Sequence, residues 1–376
     1  MSKLDDLINR LCPDGVEYKK IKDCYQRLRG TPITAEKMKE ISSKDGEVKI
    51  FAGGKTVINA KESDIPNANI TRVPAVLVQS RGVIDAIFYE KPFTFKNEMW
   101  AYTTDERISV KFLYYVLKNN IQIFRDAASG MGSLPQISLK VTEEFEIPVP
   151  PLEVQNEIVR ILDKFTSLEA ELEAELEARR KQYEYYRDSL LSFGDDVEWK
   201  TLGEIAKLQA GKAISASELS SDKTESLYPC YGGNGLRGYI KKYSDDGNYS
   251  IIGRQGALCG NVKYVEGKFY ATEHAVVVYN KESINSKFLY YTLVKMNLNQ
   301  YKSAGAQPGL SVAKLVPLKI QIPSLSEQQR IVAILDRFES LCNDITSGLP
   351  AEIEARHKQY EYYRDKLLTF KRKEAV

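Results

Sequence analysis

Few residues in this chain have the types and spacing that catalysis needs. Gly54-Lys55-Thr56 has the tail of a phosphate loop, in which backbone N–H groups and a lysine cradle a nucleotide. The glycine required five positions before Gly54 is Lys49, so the loop is incomplete. Asp14, Glu17 and Lys19 have the types of a nuclease carboxylate set, and Asp195, Glu198 and Lys200 echo them. Carboxylates so close together also read as the surface charges of a strand. Glu273-His274 could serve as an acid–base pair, but the corresponding stretch of the first half carries Glu98-Met99. The chain has only one other histidine, His357. No G-x-S-x-G, no H-E-x-x-H and no dinucleotide glycines in a strand–helix setting occur. The cysteines, Cys12, Cys24, Cys230, Cys259 and Cys342, are odd in number and form no C-x-x-C pair. That argues against a disulfide framework or a zinc site.

Residues suited to binding are better placed. Four loops are rich in Gly, Asn, Gln and Arg: SRG (80–82), SGMGSLPQ (129–136), YGGNGLRGY (231–239) and GRQGALCG (253–260). Glycine lets a ligand approach the backbone closely, and arginine bonds guanine or phosphate in bidentate fashion. Between 195 and 323 the only arginines are Arg237 and Arg254, and both stand in such loops. A solvated surface arginine is the plainer reading of each taken alone. The candidates for nucleic-acid contact are Ser80, Arg81, Ser129 and Gln136 in the first half. In the second half they are Tyr231, Asn234, Arg237, Arg254, Gln255, His274 and Gln307.

The elements that carry these loops are duplicated. ARRKQYEYYRDSLLSF (178–193) and ARHKQYEYYRDKLLTF (355–370) agree at 13 of 16 positions, which chance does not supply. IVRILDKF (158–165) matches IVAILDRF (331–338), and KFLYY recurs at 111–115 and 287–291. GVEYKKI (15–21) stands beside DVEWKTL (196–202), and Gly30 beside Gly211. The plan is therefore A–B–A′–B′ over 1–150, 151–194, 195–323 and 324–376. Core-like segments match between A and A′ while the loops differ, so one scaffold displays two reading surfaces. Net charge is only +2, but it divides into basic A units and an acidic first B unit.

The B units read as long helices. B opens on Pro150-Pro151, and B′ on Pro323 with an S-x-x-E capping box at Ser324 and Glu327. Gly194 is expected to stop the first helix after Phe193. About 42 residues at 1.5 Å each make a rod near 60 Å. Apolar steps of three and four mark a coiled-coil seam: Ile158, Ile161, Phe165, Leu168, Leu172, Leu176, Tyr183, Tyr186, Leu190. Consecutive four-residue steps form a stutter inside the repeat LEAE-LEAE-LEAR (168–179). B′ repeats the seam at Ile331, Ile334, Phe338, Leu341, Ile345, Leu349, Ile353, Tyr360, Tyr363 and Leu367, with one more four-residue step. Gly348 and Pro350 are expected to kink or restart it. Tyr183, Tyr185 and Tyr186, like Tyr360, Tyr362 and Tyr363, point to more than one face. One stripe suffices for helix pairing, so the rest suggests a protein partner.

The A units read as mixed domains. VPAVLVQ (73–79), NYSII (248–252) and AVVVY (275–279) are expected as short buried strands, and the KFLYY segments as helices. With 376 residues, 43% of them hydrophobic, the chain can build two or three cores. No run of about 18 apolar residues exists, so no membrane span is expected. Asp5 and Asp6 lie where a signal peptide would be apolar, which makes the cytoplasm the expected compartment.

Two dissimilar domains alternating with two near-identical helices resemble the specificity subunit of a Type I restriction-modification enzyme. ILDKF (161–165), KQYEYYRD (181–188), their second copies and IPSLSEQQRIV (322–332) carry the resemblance over essentially the whole chain. GRQGALCG with TEHAVVV (272–278) also resembles that family's target recognition domains. The resemblance implies an α+β fold: two mixed α/β target recognition domains alternating with two long antiparallel coiled-coil helices, in a pseudo-twofold internal repeat. Each domain would read one half of a split, asymmetric site on double-stranded DNA, with the helices as ruler. Half-site centres would then lie about one helical turn, roughly 34–36 Å, apart. The helices would dock two methyltransferase subunits, with Tyr183, Tyr185, Tyr186, Tyr360, Tyr362 and Tyr363 as partner-facing candidates, and through them the motor-endonuclease subunits. The chain itself would be non-catalytic. Its cofactors, S-adenosylmethionine, ATP and magnesium, would belong to the partners. Two other readings stay open: a coiled-coil scaffold binding only proteins, and a DNA-modifying enzyme using Asp14/Glu17 or Glu273/His274.

Overall fold

A computed structural model describes residues 3–54, 56–128, 134–256, 258–304, 308–344 and 346–374. The chain divides into two compact units: Met1–Leu172 with Ile353–Val376, and Glu173–Glu352.

The first unit centres on an antiparallel four-stranded sheet, in the order Gln26–Leu28, Met99–Thr103, Ala75–Gln79, Asp85–Tyr89. Alternate side chains of a strand face opposite ways, and here each face has its own core. Val76 and Val78 join Tyr102 and the helix Arg107–Asn119 on one side. Ala75 and Leu77 join Phe51, Phe93 and Phe95 on the other. That two-sided burial is why VPAVLVQ reads as a continuous apolar run. A three-stranded sheet of Val57–Ala60, Val48–Phe51 and Phe93–Phe95 supplies the second face.

The second unit repeats this design. Its sheet runs Ala206–Ala210, Ala275–Asn280, Tyr249–Gly253, Val262–Val265, all antiparallel. Ile252, Val276 and Val278 bury on one side with the helix Ser286–Lys295; Ile251, Ala275 and Val277 bury on the other. The expected strands and KFLYY helices thus fall where the pattern put them. Each unit is closed by a short two-stranded ribbon, Tyr18–Lys20 with Glu146–Pro148 and Trp199–Thr201 with Lys319–Gln321. The nuclease-like carboxylates lie beside these ribbons in surface ion pairs, Glu17 with Lys19 at 2.9 Å and Glu198 with Lys200 at 3.1 Å.

The first long helix is Leu152–Leu190, 39 residues. Its start is fixed by the Pro151 carbonyl, which accepts from the N–H groups of Val154 and Gln155. The buried side chain of Gln155 donates to the Pro150 carbonyl, and Gln328 donates likewise to Pro323. The regular helix ends at Leu190 rather than Phe193, because the Ser192 N–H turns to the Ser189 carbonyl in a tighter turn. The second helix is interrupted: Leu325–Asn343, then Leu349–Leu368. Between them the Asp344 carboxylate accepts from the Thr346 N–H at 2.7 Å and from the Ser347 hydroxyl. A Cβ on Gly348 would come within 2.6 Å of the Ser340 carbonyl oxygen, so only glycine fits this restart. Pro350 sits in the first turn of the new helix, where a missing N–H costs nothing. Ile345 lies outside the described residues.

In each unit the helices meet through the same rings, with antiparallel order. In the first, Phe165 stacks on Tyr363 at 5.5 Å, and one turn on Glu169 meets His357 at 3.2 Å. In the second, Tyr186 stacks on Phe338 at 5.3 Å. The seam is only part of what these helices bury. Val154, Ile158, Val159 and Leu162 face the first unit's globular core, and Ile331, Val332 and Leu335 face the second's. The segments IVRIL and IVAIL are apolar on two faces because they pack on a domain and on a helix together.

Candidate nucleic-acid interface

The candidate loops hang on a backbone circuit that both units share. In the second unit the strand Tyr249–Gly253 runs into Arg254-Gln255-Gly256. There Gly256 N–H donates to the Pro308 carbonyl (3.1 Å) and Leu310 N–H to the Arg254 carbonyl (2.9 Å). Gln255 forms a bridge with Gly309. In the first unit Ala75–Gln79 runs into Ser80-Arg81-Gly82. Gly82 N–H donates to Pro135 (2.9 Å), Ile137 N–H to Ser80 (3.0 Å), and Arg81 bridges Gln136. Two distant segments therefore meet in the same register, LPQIS (134–138) in one unit and PGLS (308–311) in the other. The strand pairings Gln79 with Met99 and Gly253 with Ala275 then set Glu98 opposite His274 in the duplicated frame.

The side chains hung on this circuit differ. In the second unit Asn234, Arg237, Gln255 and His274 line a cleft of about 470 Å³ floored by Gly233, Gly256 and Gly309. Its wall is a hairpin, Tyr228–Gly232 and Gly235–Ile240, that comes directly onto the strand end: a Cβ on Gly253 would lie 2.0 Å from the Gly233 carbonyl oxygen. Asn234, Arg237 and Gln255 are exposed, while Arg254 and His274 are half-buried. His274 Nε2 stands 3.1 Å from Glu273 Oε1. Arg254 Nε, Glu273 Oε2 and His274 Nδ1 are buried without a hydrogen-bond partner among the described residues. Orphaned groups of this kind are rare in folded proteins, and of the three residues His274 lines the cleft itself.

In the first unit the matching positions carry Ser80, Arg81 and Glu98. Arg81 and Gln136 are exposed. Ser80 is buried and donates its hydroxyl to the Glu98 carbonyl, so this side chain faces the protein and not solvent. Glu98 was not among the expected contacts, though it takes the place of His274. Burial works to raise its carboxyl, but Lys96 at 3.0 Å and the Gly53 N–H hold it below the usual carboxylate range. The repeated Pro135-x-Ile137-Ser138 and Pro308-x-Leu310-Ser311 could have signalled the circuit. The half-buried ring of Tyr231 packs on Phe269, 6.1 Å away. Ser129 and Gln307 lie outside the described residues.

All five cysteines are free thiols. Among the described residues no group of three or more His, Cys, Asp or Glu is arranged to hold a metal, and no helix is long and apolar enough to cross a membrane.

Two sheets with one frame and unlike loops, each packed on a long helix, define a duplicated α+β class of protein. The chain belongs to the Type I restriction-modification specificity family: the model of the Type I restriction modification DNA specificity domain matches residues 13–178 and again 194–355. The chain is 51% identical over 252 residues to the Type I restriction enzyme EcoprrI specificity subunit of Escherichia coli, covering 63% of each chain. It is 37% identical over 311 residues to the EcoR124I/EcoR124II specificity subunit of Escherichia coli, covering 72% of this chain and 74% of that one. The crystal structure of the S subunit of a Type I restriction-modification system from M. genitalium shares the fold, with a TM-score of 0.65 at 19% identity over 94% of this chain and 96% of that one.

Proposed function

We propose that this chain is the DNA-reading, non-catalytic subunit of a Type I restriction-modification complex, and that each unit reads one half of a split, asymmetric site. The observation that carries the reading is the shared circuit with unlike side chains: Ser80, Arg81 and Glu98 in one unit stand where Arg254, Gln255 and His274 stand in the other. A frame held constant while its presented groups change is what two different base sequences require. The long helices set the unread spacer and dock two methyltransferase subunits, and the motor-endonuclease subunits join through these. S-adenosylmethionine, ATP and magnesium act on those partners, in the cytoplasm.

Among the candidates, we assign Arg237, Asn234, Arg254, Gln255 and His274 to the second half-site, and Arg81 and Gln136 to the first. The Arg237→Ala/Arg254→Ala double variant, assembled with its methyltransferase partner, is expected to lose affinity for the cognate second half-site. A bidentate base contact is worth about 1–3 kcal/mol, so the loss is about fivefold or more. The first half-site's preference stays intact. Titration against DNA altered in either half checks this, and unchanged curves for both halves would overturn the assignment. A sequence-dependent, salt-dependent shift of DNA by the assembled complex also separates this reading from a scaffold that binds only proteins.

A further inference from the structure

In each unit, one aspartate of the long helix ties down the helix that carries KFLYY. Both oxygens of Asp163 are taken by residues one turn apart: Lys111 Nζ at 2.8 Å on Oδ2 and Tyr115 Oη at 2.5 Å on Oδ1. In the second unit Asp336 is held the same way, by Lys287 at 2.9 Å and Tyr291 at 2.6 Å. The lysines also reach the sheets. Lys111 lies over the Phe88 ring at 5.4 Å and Lys287 over the Tyr264 ring at 5.6 Å. Those rings belong to Asp85–Tyr89 and Val262–Val265, the edge strands of the two four-stranded sheets. A continuous line of contacts therefore runs from sheet to KFLYY helix to long helix, in both units. In the second, Glu339 accepts from Tyr290 at 3.1 Å and stands 2.7 Å from the Tyr291 hydroxyl, whose single proton it shares with Asp336; Thr166 stands at the matching place in the first.

The hydrophobic effect that holds the helices together is non-directional. A carboxylate bonded on both oxygens by an ammonium and a phenol one turn apart is directional and charge-assisted. Burial pushes the Tyr115 and Tyr291 phenols well above their ordinary range, so both remain protonated donors. We propose that Asp163 and Asp336, with their Lys and Tyr partners, are positioning residues that fix the rotational setting of each recognition sheet on its long helix and so hold the unread spacer to a single length. This rests on the split-site reading. A sheet free to rock on its helix would meet its half-site at more than one distance, and one base pair is only about 3.4 Å of axis.

The test is a methylome of cells carrying the complete enzyme with Asp163→Asn, Asp336→Asn or Tyr115→Phe. The last keeps the ring and its packing, and decides the matter should an Asn variant not fold. Both half-site sequences should stay as in the wild type. Methylation at sites whose spacer is one base pair longer or shorter should rise about tenfold, the factor that 1.4 kcal/mol of lost restraint corresponds to. An assembled, active variant that keeps one spacer length would overturn the proposal. So would a variant that loses its half-site bases with the spacer unchanged, because the aspartate would then serve only the domain's fold. A wild-type methylome without any split motif would instead sink the split-site reading itself.

Discussion

Replacing Tyr185 and Tyr362 with aspartate is expected to abolish assembly with the methyltransferase subunits while both globular units stay folded. The two residues occupy the same place in the two copies of KQYEYYRD. Their side chains are the most exposed large hydrophobic ones among the described residues, at 70% and 62%. Each leans edge-on against its neighbour, Tyr186 or Tyr363, and those neighbours are stacked on Phe338 and Phe165. An exposed ring backed by a fixed one is a rigid anchor that loses little entropy on binding, the kind of residue that dominates interfaces. Aspartate removes the ring and adds a charge that docking must strip of water. At about 2 kcal/mol for each anchor, the pair costs about a thousandfold in affinity. Helix folding is little affected, because neither side chain fills the seam. Co-purification measures the loss, with thermal unfolding as the control; recovery of an intact complex from the double variant would contradict the assignment.

Inserting one further LEAE after Glu175 is expected to lengthen the unread spacer by about one base pair. Four helical residues add about 6 Å and turn the far end by about 40°. One base pair adds about 3.4 Å and about 35°. The rotations nearly match, and the length mismatch is small enough for the DNA and the interrupted second helix to absorb. The insertion also falls in the right place, since the first unit ends at Leu172, within the repeat. Leu168, Leu172 and Leu176 are half-buried, and an added four-residue step is one more stutter in an existing series. No loop of either domain is touched, so both half-site sequences should persist. A methylome of the insertion strain with the old spacer would refute the ruler role, as would one with altered bases in either half.

The duplication made much of this architecture legible. Two near-identical helices fixed the plan, the runs VPAVLVQ and AVVVY gave buried strands, and Gly348 with Pro350 located the helix restart. Four of the expected contacts, Asn234, Arg237, Gln255 and His274, converge on one cleft because glycine-rich segments let the hairpin and strand end approach closely. The rest was hidden because it depends on which segments meet. Glu98 takes the place of His274 only once the strands are paired, and nothing along the chain joins Pro135 to Gly82. Ser80 reads as a loop hydroxyl free for DNA, yet its donor is spent on the Glu98 carbonyl. Leu162 and Val159 lie off the heptad seam and so escape a coiled-coil pattern, though they bury the helix on its domain. Asp163 and Asp336 look like ordinary surface charges until the KFLYY helices are laid against them.

The central claim is tested most directly by the methylome of cells expressing this chain with its methyltransferase partner, compared with cells lacking the chain. The account predicts methylation that depends on the chain and marks one split motif, with two unlike half-sites and an unread spacer of constant length. A continuous or palindromic motif, or a methylation pattern that the chain does not change, would contradict it.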